Sequence, residues 1–600
     1  MSNTLVDERD VRFVLYEQLK IETLCQAEKF RDHSKETFDM ILDAGGKLAH
    51  NDFAPANASG DDIGCEWIDG HVKAPQPFHA PYRKYCEGGW LSLPEAYDIG
   101  GQSAPVSLNF ACHEMFFAAC HSLAGYMGLT HSAAKVIELY GTEEQKQRYL
   151  EPLYQGKYGG TMNLTETQAG SDVGAVRTKA IKNPDGTYSI VGGKIFISAG
   201  EQDLTENIIH IVLARIEGDP PGTRGLSCFI VPKLSVNTDG TLGKRNDVIC
   251  AGIEHKMGMK GSATCVLNFG ENGKCVGELL GPAQKGIIVM FAMMNEQRAL
   301  VGLQGLAQAS TAYLHALSFA RERLQGAMLG SKGLEQVPII RHPGVHRDLL
   351  WMKAFTEGMR ALVLYVVYCM DMVEASSDSE EQKQWQFLVE ILTPVCKAYC
   401  TDRGFEVCIR SIQVLGGYGY CREYKVEQFA RDCKVTSIYE GTNAIQAMDL
   451  FGRKIRMSKG AAFDLAVKKM KEQAEKAQNI EELKPYALKV NTSIAVLQNI
   501  TGELLDRLSN GEAFAVFSWA TSYLEIFGDV VLGWLLLWQA RVACESKSAS
   551  IDTDEEFYLS KINTAKFYIG TVLPLVAGKT AAIKQNESSF YGMGGAIFCQ

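Results

Sequence analysis

Between residues 286 and 326, in "GIIVMFAMMNEQRALVGLQGLAQASTAYLHALSFARERLQG", apolar residues dominate and no proline interrupts them. This Ala- and Leu-rich stretch predicts a long packed helix. A proline break at "HPGVHRD" precedes a second long helix from about residue 344, and a third runs through "FEVCIRSIQVLGG", where the glycines stop it. From the start to about residue 158 the period is also mostly helical: Gly141 can close one helix, and Thr142 with Gln145 forms a capping box opening the next. Near residue 160 the texture changes. "NPDGTYSIVGGKIFIS" reads as a turn at Asn183–Gly186, a strand, a Gly-Gly step and another strand, and "NIIHIVLARI", "GLSCFIVP" and "ATCVLNFG" carry the β pattern to about residue 280.

Beyond about residue 460 lies a further all-helical unit, opening with the charged surface-helix composition "KKMKEQAEKAQNIEELK". Near its end Thr553 and Glu556 make a capping box, and Tyr558, Ile562, Ala565, Ile569 and Val572 recur on one helix face. The expected fold is therefore mainly α with an inserted β domain: a helical domain over 1–159, a β domain over 160–280, a helical bundle over 281–456 and an additional helical domain over 457–600. The most apolar run, "VVLGWLLLW" (Val530–Trp538), is far shorter than the ~20 residues of a membrane span. Bounded by Asp529 and Gln539, it reads as a buried core helix, and no transmembrane segment is expected.

Composition narrows the chemistry. The chain is 46% hydrophobic and 22% charged, as expected of a soluble globular protein. Its net charge of −10, spread along the chain, argues against nucleic acid, because phosphate neutralisation needs a basic face. An anionic small molecule held by a local cluster stays open. The start, "MSNTLVDERDVRF", has no charged-then-apolar signal pattern, so a reducing cytoplasm is expected, and nearly all of the seventeen cysteines read as small buried hydrophobes. Cys396 and Cys400 are spaced as helix neighbours. "HEMFFAACH" is not H-E-x-x-H, since its histidines are eight apart, so a packed helix is expected there and no metal site.

No G-x-G-x-x-G follows an expected strand and no G-x-x-x-x-G-K-[ST] occurs, which weighs against a Rossmann site and a P-loop. Two small-polar clusters end β segments, "MNLTETQAGSD" (162–172) and "KIFISAGEQD" (194–203), and are either solvated loops or places where a ligand meets hydroxyls and backbone N–H groups. "SIYEGTNAIQ" (437–446) sets Glu440 between Tyr439 and Gly441, with Thr442 a plausible helix cap. On residue types alone, Glu440 is either part of that helix start or a catalytic base.

Taken together these stretches resemble the acyl-CoA dehydrogenase family over residues 80 to 455. "LTETQAGSD" resembles its flavin loop, "KIFIS" its K-x-[WF]-I-[ST] strand, "HKMGMKGSATCVLNF" the strand pair that follows, "RERLQG" its R-x-x-F-G, and "IQVLGGYGYCREYKVEQFARDCKVTSIYEGTNAIQ" its long terminal signature. The added helical unit resembles a larger branch that includes methylthiopropanoyl-CoA dehydrogenases and some long-chain mycobacterial acyl-CoA dehydrogenases. The resemblance implies a role in fatty acid metabolism: FAD as cofactor, an acyl-CoA as substrate, an electron-transfer flavoprotein as electron acceptor, and a homodimer or higher homo-oligomer. An acyl-CoA oxidase using O2 and a catalytically silent scaffold of the same fold are the alternatives.

Residue by residue, Glu440 matches the family's base. A dry pocket raises a carboxylate's pKa and makes it a stronger base, and the N–H of the base, faced to substrate by Gly441, would help bind the thioester oxygen. The resemblance puts Leu164 and Thr165 at the isoalloxazine edge and Ser171 near the pyrophosphate or the CoA. It has Phe196 cover the ring, with Ile197 and Ser198 beside it. Arg323 and Gln413–Gly417, with Gly416 among them, would reach the adenosine half of a neighbouring subunit's flavin. Thr442 would approach the flavin diphosphate, Arg298 would lie near the CoA end, and Tyr439 would line the substrate site. Gln297 holds the place where some relatives carry their base, and Glu296 reads as a helix-surface or pocket-lining residue. Three positions depart from the pattern: Thr167 stands where many members have proline, "RERLQG" lacks the phenylalanine before glycine, and Ala444 replaces a common glutamine.

Overall fold

The computed structural model describes residues 4–291, 294–330, 333–549 and 554–587, and the chain forms two compact units, 33–297 and 1–32 with 298–600. Among the helices of the smaller unit, α1 (Val106–Ala119), α2 (His121–Tyr140) and α3 (Glu143–Tyr154) lead into the sheet. "HEMFFAACH", expected as one packed helix, divides between α1 and α2 at the extended residue Cys120, with His113 and His121 both buried. The capping box at α3 is complete: Gln145 N donates to Thr142 Oγ1 at 3.3 Å, and Thr142 N donates to Gln145 Oε1 at 3.0 Å. Gly141 closes α2 at a φ of −69°, without the left-handed turn glycine permits.

An eight-stranded sheet follows, made of β1 (Tyr158–Asn163), β2 (Lys179–Lys182), β3 (Tyr188–Ser198), β4 (Asn207–Ile216), β5 (Leu226–Pro232), β6 (Val248–Ile253), β7 (Thr264–Phe269) and β8 (Val276–Leu280). They lie in the order β6-β7-β3-β8-β5-β4-β1, with β2 against β3 and β4. The near-continuous apolar run of β4 has a simple cause: both faces are covered. Ile209, Ile211 and Leu213 pack with Val136, Ile137 and Leu153 of the helices, while Val212 and Ala214 face Phe229, Val231 and Leu267 on the other side.

The larger unit holds α4 (Met294–Glu322), α5 (Pro343–Ala375), α6 (Ser379–Leu415) and α7 (Asn443–Asp449), then α8 (Ala461–Gln478), α9 (Lys484–Ser509), α10 (Ala520–Ala549), α11 (Glu555–Thr571) and α12 (Leu575–Gln585). Pro343 opens α5, where a missing N–H costs nothing, and α6 stops at Gly416, whose φ is +62°. Residues 1–32, grouped by helical period with the segment to 159, fold instead with this unit. Asp10 meets Arg360 of α5 and Lys561 of α11, and all three side chains are buried.

Val530–Trp538 lies inside α10, which is long and apolar enough to cross a membrane by length and composition, yet 83% of its apolar window is buried in the protein's own packing. Asp529 and Gln539 do not bound the helix. They are buried within it, Asp529 against Lys579 at 2.6 Å and Gln539 donating to Gln18 at 3.0 Å. The expected face of α11 (Tyr558, Ile562, Ala565, Ile569, Val572) is buried, whereas Thr553 of its expected capping box lies outside the described residues.

Candidate active site

In the smaller unit the two polar clusters of the sequence come together. The register between β3 and β7 slips between Ile197↔Cys265 and Lys194↔Leu267, leaving a bulge at Ile195–Phe196. Phe196 there has a left-handed φ of +58°, a conformation uncommon for any side chain and an outlier for a bulky one, and its ring is 58% exposed. Ile195 N donates to Thr165 O at 3.0 Å, and Lys194 Nζ donates to Leu164 O and to Glu166 Oε1, each at 2.9 Å. Leu164 and Thr165 are thus pinned beside the bulge. Glu166 is further held by Thr178 and by the N–H of Arg177. Burial pushes its carboxyl up, but Lys194 and these donors outweigh that and hold it at about 2, while burial lowers Lys194 to about 8 against the pull of Glu166.

Ser171 is exposed further along the loop, and Ser198 is half-buried at the end of β3. Ile197 differs from expectation: its side chain lies in the core with Ala263 and Cys265, because alternation along the strand turns it away from Phe196, so it can offer a ring only backbone. Lys194 and Glu166, which lock this loop, were not singled out by sequence. A buried lysine in a strand opposite a loop acid becomes recognisable only once the two segments meet.

In the larger unit, Glu440 occupies a tight turn before α7. Its φ is +54° and that of Gly441 is +82°, so two successive residues are left-handed. For Glu440 this conformation costs about 1–2 kcal/mol and persists only where neighbours enforce it. They do so here: Gln446 Nε2 donates to the carbonyls of Glu440 (3.2 Å) and Gly441 (3.3 Å), and Lys397 Nζ donates to Gly441 O at 2.9 Å. A Cβ at Gly441 would meet only the side-chain end of Gln446 at 2.8 Å, so it is the φ that calls for glycine here. Thr442 caps α7, accepting from Ile445 N at 3.3 Å. The cap belongs to Thr442, leaving the Glu440 carboxylate outside it.

Glu440 is accessible to solvent, yet surrounding protein desolvates its carboxyl enough to raise the pKa, against the opposing charges of Lys397 and Arg298. Arg298 is buried and paired with Asp449 at 2.7 Å, and its charge acts on Glu440 through space. The Tyr439 hydroxyl donates to Gln304 of α4. At the end of the smaller unit Gln297 is buried, and Glu296 forms an ion pair with His131 of the same unit at 3.4 Å. That pairing holds Glu296 low, and together with Glu95 it lifts His131 to about 9 despite burial.

A third cluster gathers at the end of α6. Arg323 is exposed, with its guanidinium 5.5 Å over the ring of Tyr418, next to exposed Gln413, Gly416 and Gly417. "RERLQG", expected to end in helix, runs from α4 into Leu324–Ala327, which pairs with Gln336–Pro338.

The chain matches the acyl-CoA dehydrogenase N-terminal domain over residues 49–157, the middle domain over 161–271 and the C-terminal domain over 284–454, and an acetyl-CoA dehydrogenase C-terminal-like domain over 466–594. It belongs to the acyl-CoA dehydrogenase family, oxidoreductases acting on CH–CH groups whose members are FAD flavoproteins. It is 36% identical to a butyryl-CoA dehydrogenase of Syntrophomonas wolfei over 98% of each chain. It is also 36% identical to the 3-methylmercaptopropionyl-CoA dehydrogenase of Ruegeria pomeroyi, over 91% of this chain and 93% of that one. A Bacillus anthracis acyl-CoA dehydrogenase solved in complex with FAD shares the fold, with a TM-score of 0.74 at 21% identity over 95% of this chain and 91% of that one.

Proposed function

We propose that this chain oxidises an acyl-CoA thioester to the 2-enoyl-CoA with FAD as cofactor, and that Glu440 is the base that removes the proton α to the thioester. The observation carrying this reading is the Glu440 turn itself: a residue in a strained left-handed conformation, held by Gln446 and Lys397, whose carboxyl is raised in pKa by the desolvating protein around it. Strain maintained by dedicated partners marks a functional constraint, and a desolvated carboxylate is a stronger base. The main-chain N–H of Glu440 has no partner among the described residues and can donate to the thioester oxygen as negative charge develops there.

A flat cofactor fits the residues present: Phe196 offers an exposed aromatic face, and the Leu164–Thr165 backbone beside it is fixed by Lys194 and Ile195. When bound, FAD supplies the acceptor for the hydride leaving the β-carbon. In this reading Ser198 and the backbone of Ile197 border the ring, while Ser171 and Thr442 serve its diphosphate. Arg323, Gln413, Gly416 and Gly417 serve the adenosine half of FAD in a second copy of the chain, which makes the protein at least a homodimer. An arginine's planar fork suits such a diphosphate or ring. Electrons leave to an electron-transfer flavoprotein. Full-length similarity to butyryl-CoA and 3-methylmercaptopropionyl-CoA dehydrogenases supports a short to medium acyl chain, while an equally full-length relative from Mycobacterium tuberculosis is a broad-specificity linear acyl-CoA dehydrogenase.

Glu440→Gln tests the assignment. The variant is expected to stay yellow and to bind acyl-CoA while losing turnover by orders of magnitude; near-normal activity refutes it. Rapid reoxidation of the acyl-CoA-reduced enzyme by air would replace the electron-transfer flavoprotein by O2.

A further inference from the structure

Lys397 lies near the middle of α6 with its side chain fully buried, and no carboxylate forms an ion pair with it among the described residues. A buried ammonium without a counter-ion is costly, and an apolar side chain of similar volume would fill the space without that cost. What Lys397 touches is the turn: Gly441 O at 2.9 Å and Asn443 Oδ1 at 2.8 Å. Asn443 is itself held from α6, the two hydrogens of its Nδ2 shared among Asp402 Oδ1 at 2.7 Å, Thr401 Oγ1 at 3.0 Å and Ala398 O at 3.2 Å. The helix therefore grips the first residue of α7 through Asn443 and the residue after Glu440 through Lys397.

Resting on the reading of Glu440 as the base, we propose that Lys397 is its positioning residue: the ammonium clamps the Gly441 carbonyl, fixing the left-handed turn, and its charge faces the Glu440 carboxylate. The electrostatics agree with the contacts. Burial lowers Lys397 to about 7, Asp402 and Glu440 pull it back, and Arg298 adds to the drop. On Glu440, burial raises the carboxyl while Lys397 and Arg298 oppose it. The other charges around this turn are largely committed. Arg298 of α4 pairs with Asp449 of α7, Arg403 of α6 with Glu525 of α10, and Asp529 of α10 with Lys579 of α12. Lys434 faces Asp402, and Lys454 pairs with Glu390 while feeling Arg298.

The base must be ionised to act, so deleting the cation raises its pKa and moves the acid limb of kcat/KM to higher pH. The test uses the flavin-loaded enzyme as Lys397→Met, Lys397→Gln and Glu440→Gln in parallel. Lys397→Met is expected to lose about 10- to 100-fold in kcat through a misplaced base, with a smaller change in KM. Its acid limb should move up by about one unit. Lys397→Gln keeps a donor for Gly441 but no charge, so it should retain more kcat and show the same displaced limb, a readout that a merely structural role would not move. An inactive Glu440→Gln beside lysine variants with an unmoved limb and kcat within twofold of wild type overturns the proposal alone. An active Glu440→Gln overturns the base reading whatever Lys397 does. Failure of both lysine variants to fold would mark Lys397 as a folding residue and also overturn the proposal.

Discussion

Lys194→Met removes the cation that locks the Leu164–Glu166 loop to the sheet, at nearly constant side-chain length. Lys194 is fully buried and Glu166 is 5% accessible, so solvent screens neither. Burial pushes the Glu166 carboxyl up, and Lys194 with the hydrogen-bond donors brings it to about 2 from an ordinary 4.5. That difference is worth about 3 kcal/mol in favour of the anion at neutral pH. The lysine points the other way: burial lowers it to about 8, more than Glu166 restores. The two shifts oppose each other because the ammonium bears most of the desolvation cost, while the carboxylate keeps Thr178 and two backbone N–H donors. The intact pair is therefore worth little net, but removing only the cation strands a buried anion, at about 3 kcal/mol. Lys194→Met should lose that much stability, and the double variant Lys194→Met/Glu166→Gln much less, giving a coupling of about 2–3 kcal/mol. Because the loop then loses its anchor at Leu164 O, FAD affinity should fall about tenfold, equivalent to about 1.4 kcal/mol. Urea unfolding of the apoprotein measures the first and flavin fluorescence titration the second. Equal losses in single and double variants, with unchanged FAD affinity, would refute the reasoning. The depressed carboxyl contributes stability that is complete above pH 4.5 and lost as pH falls toward 2, so wild type and Glu166→Gln should converge in acid.

Asp10→Asn removes the carboxylate that buried Arg360 and Lys561 share, leaving Lys561 to Glu357 and Arg360 to Ser310, and should cost about 3 kcal/mol of the larger unit's stability in urea unfolding at pH 7. Burial raises the Asp10 carboxyl, but Lys561 and Arg360 bring it to about 2, so the deficit should shrink as pH drops from 4 toward 2; a deficit independent of pH would contradict the assignment. Phe196→Gly relieves a left-handed conformation worth about 1–2 kcal/mol while giving up the contacts of a ring already 58% exposed. Apoprotein stability should therefore change little, while FAD affinity falls by up to about tenfold through the lost ring contact. Unchanged affinity would remove Phe196 from the cofactor surface.

The sequence alone determined the elements and the chemistry-bearing types. Period and punctuation located α5, α6, β4, β5 and β7, because side-chain alternation and proline or glycine breaks are local properties, and the capping box at Thr142 needed only four neighbouring residues; the two strands read on either side of Gly192–Gly193 are instead the single strand β3. The motifs around Glu440 and Leu164 were readable for the same reason. Tertiary structure decided what those residues do. The side-chain direction of Ile197 depends on the strand's pleat, and the burial of Arg298 on Asp449 more than a hundred residues away. Nothing in the linear order shows what Lys397 and Lys194 contact, and residues 1–32 read as part of the segment that follows them. Each becomes legible only when distant segments pack, since desolvation and ion pairing arise between parts of the chain that the linear order keeps apart.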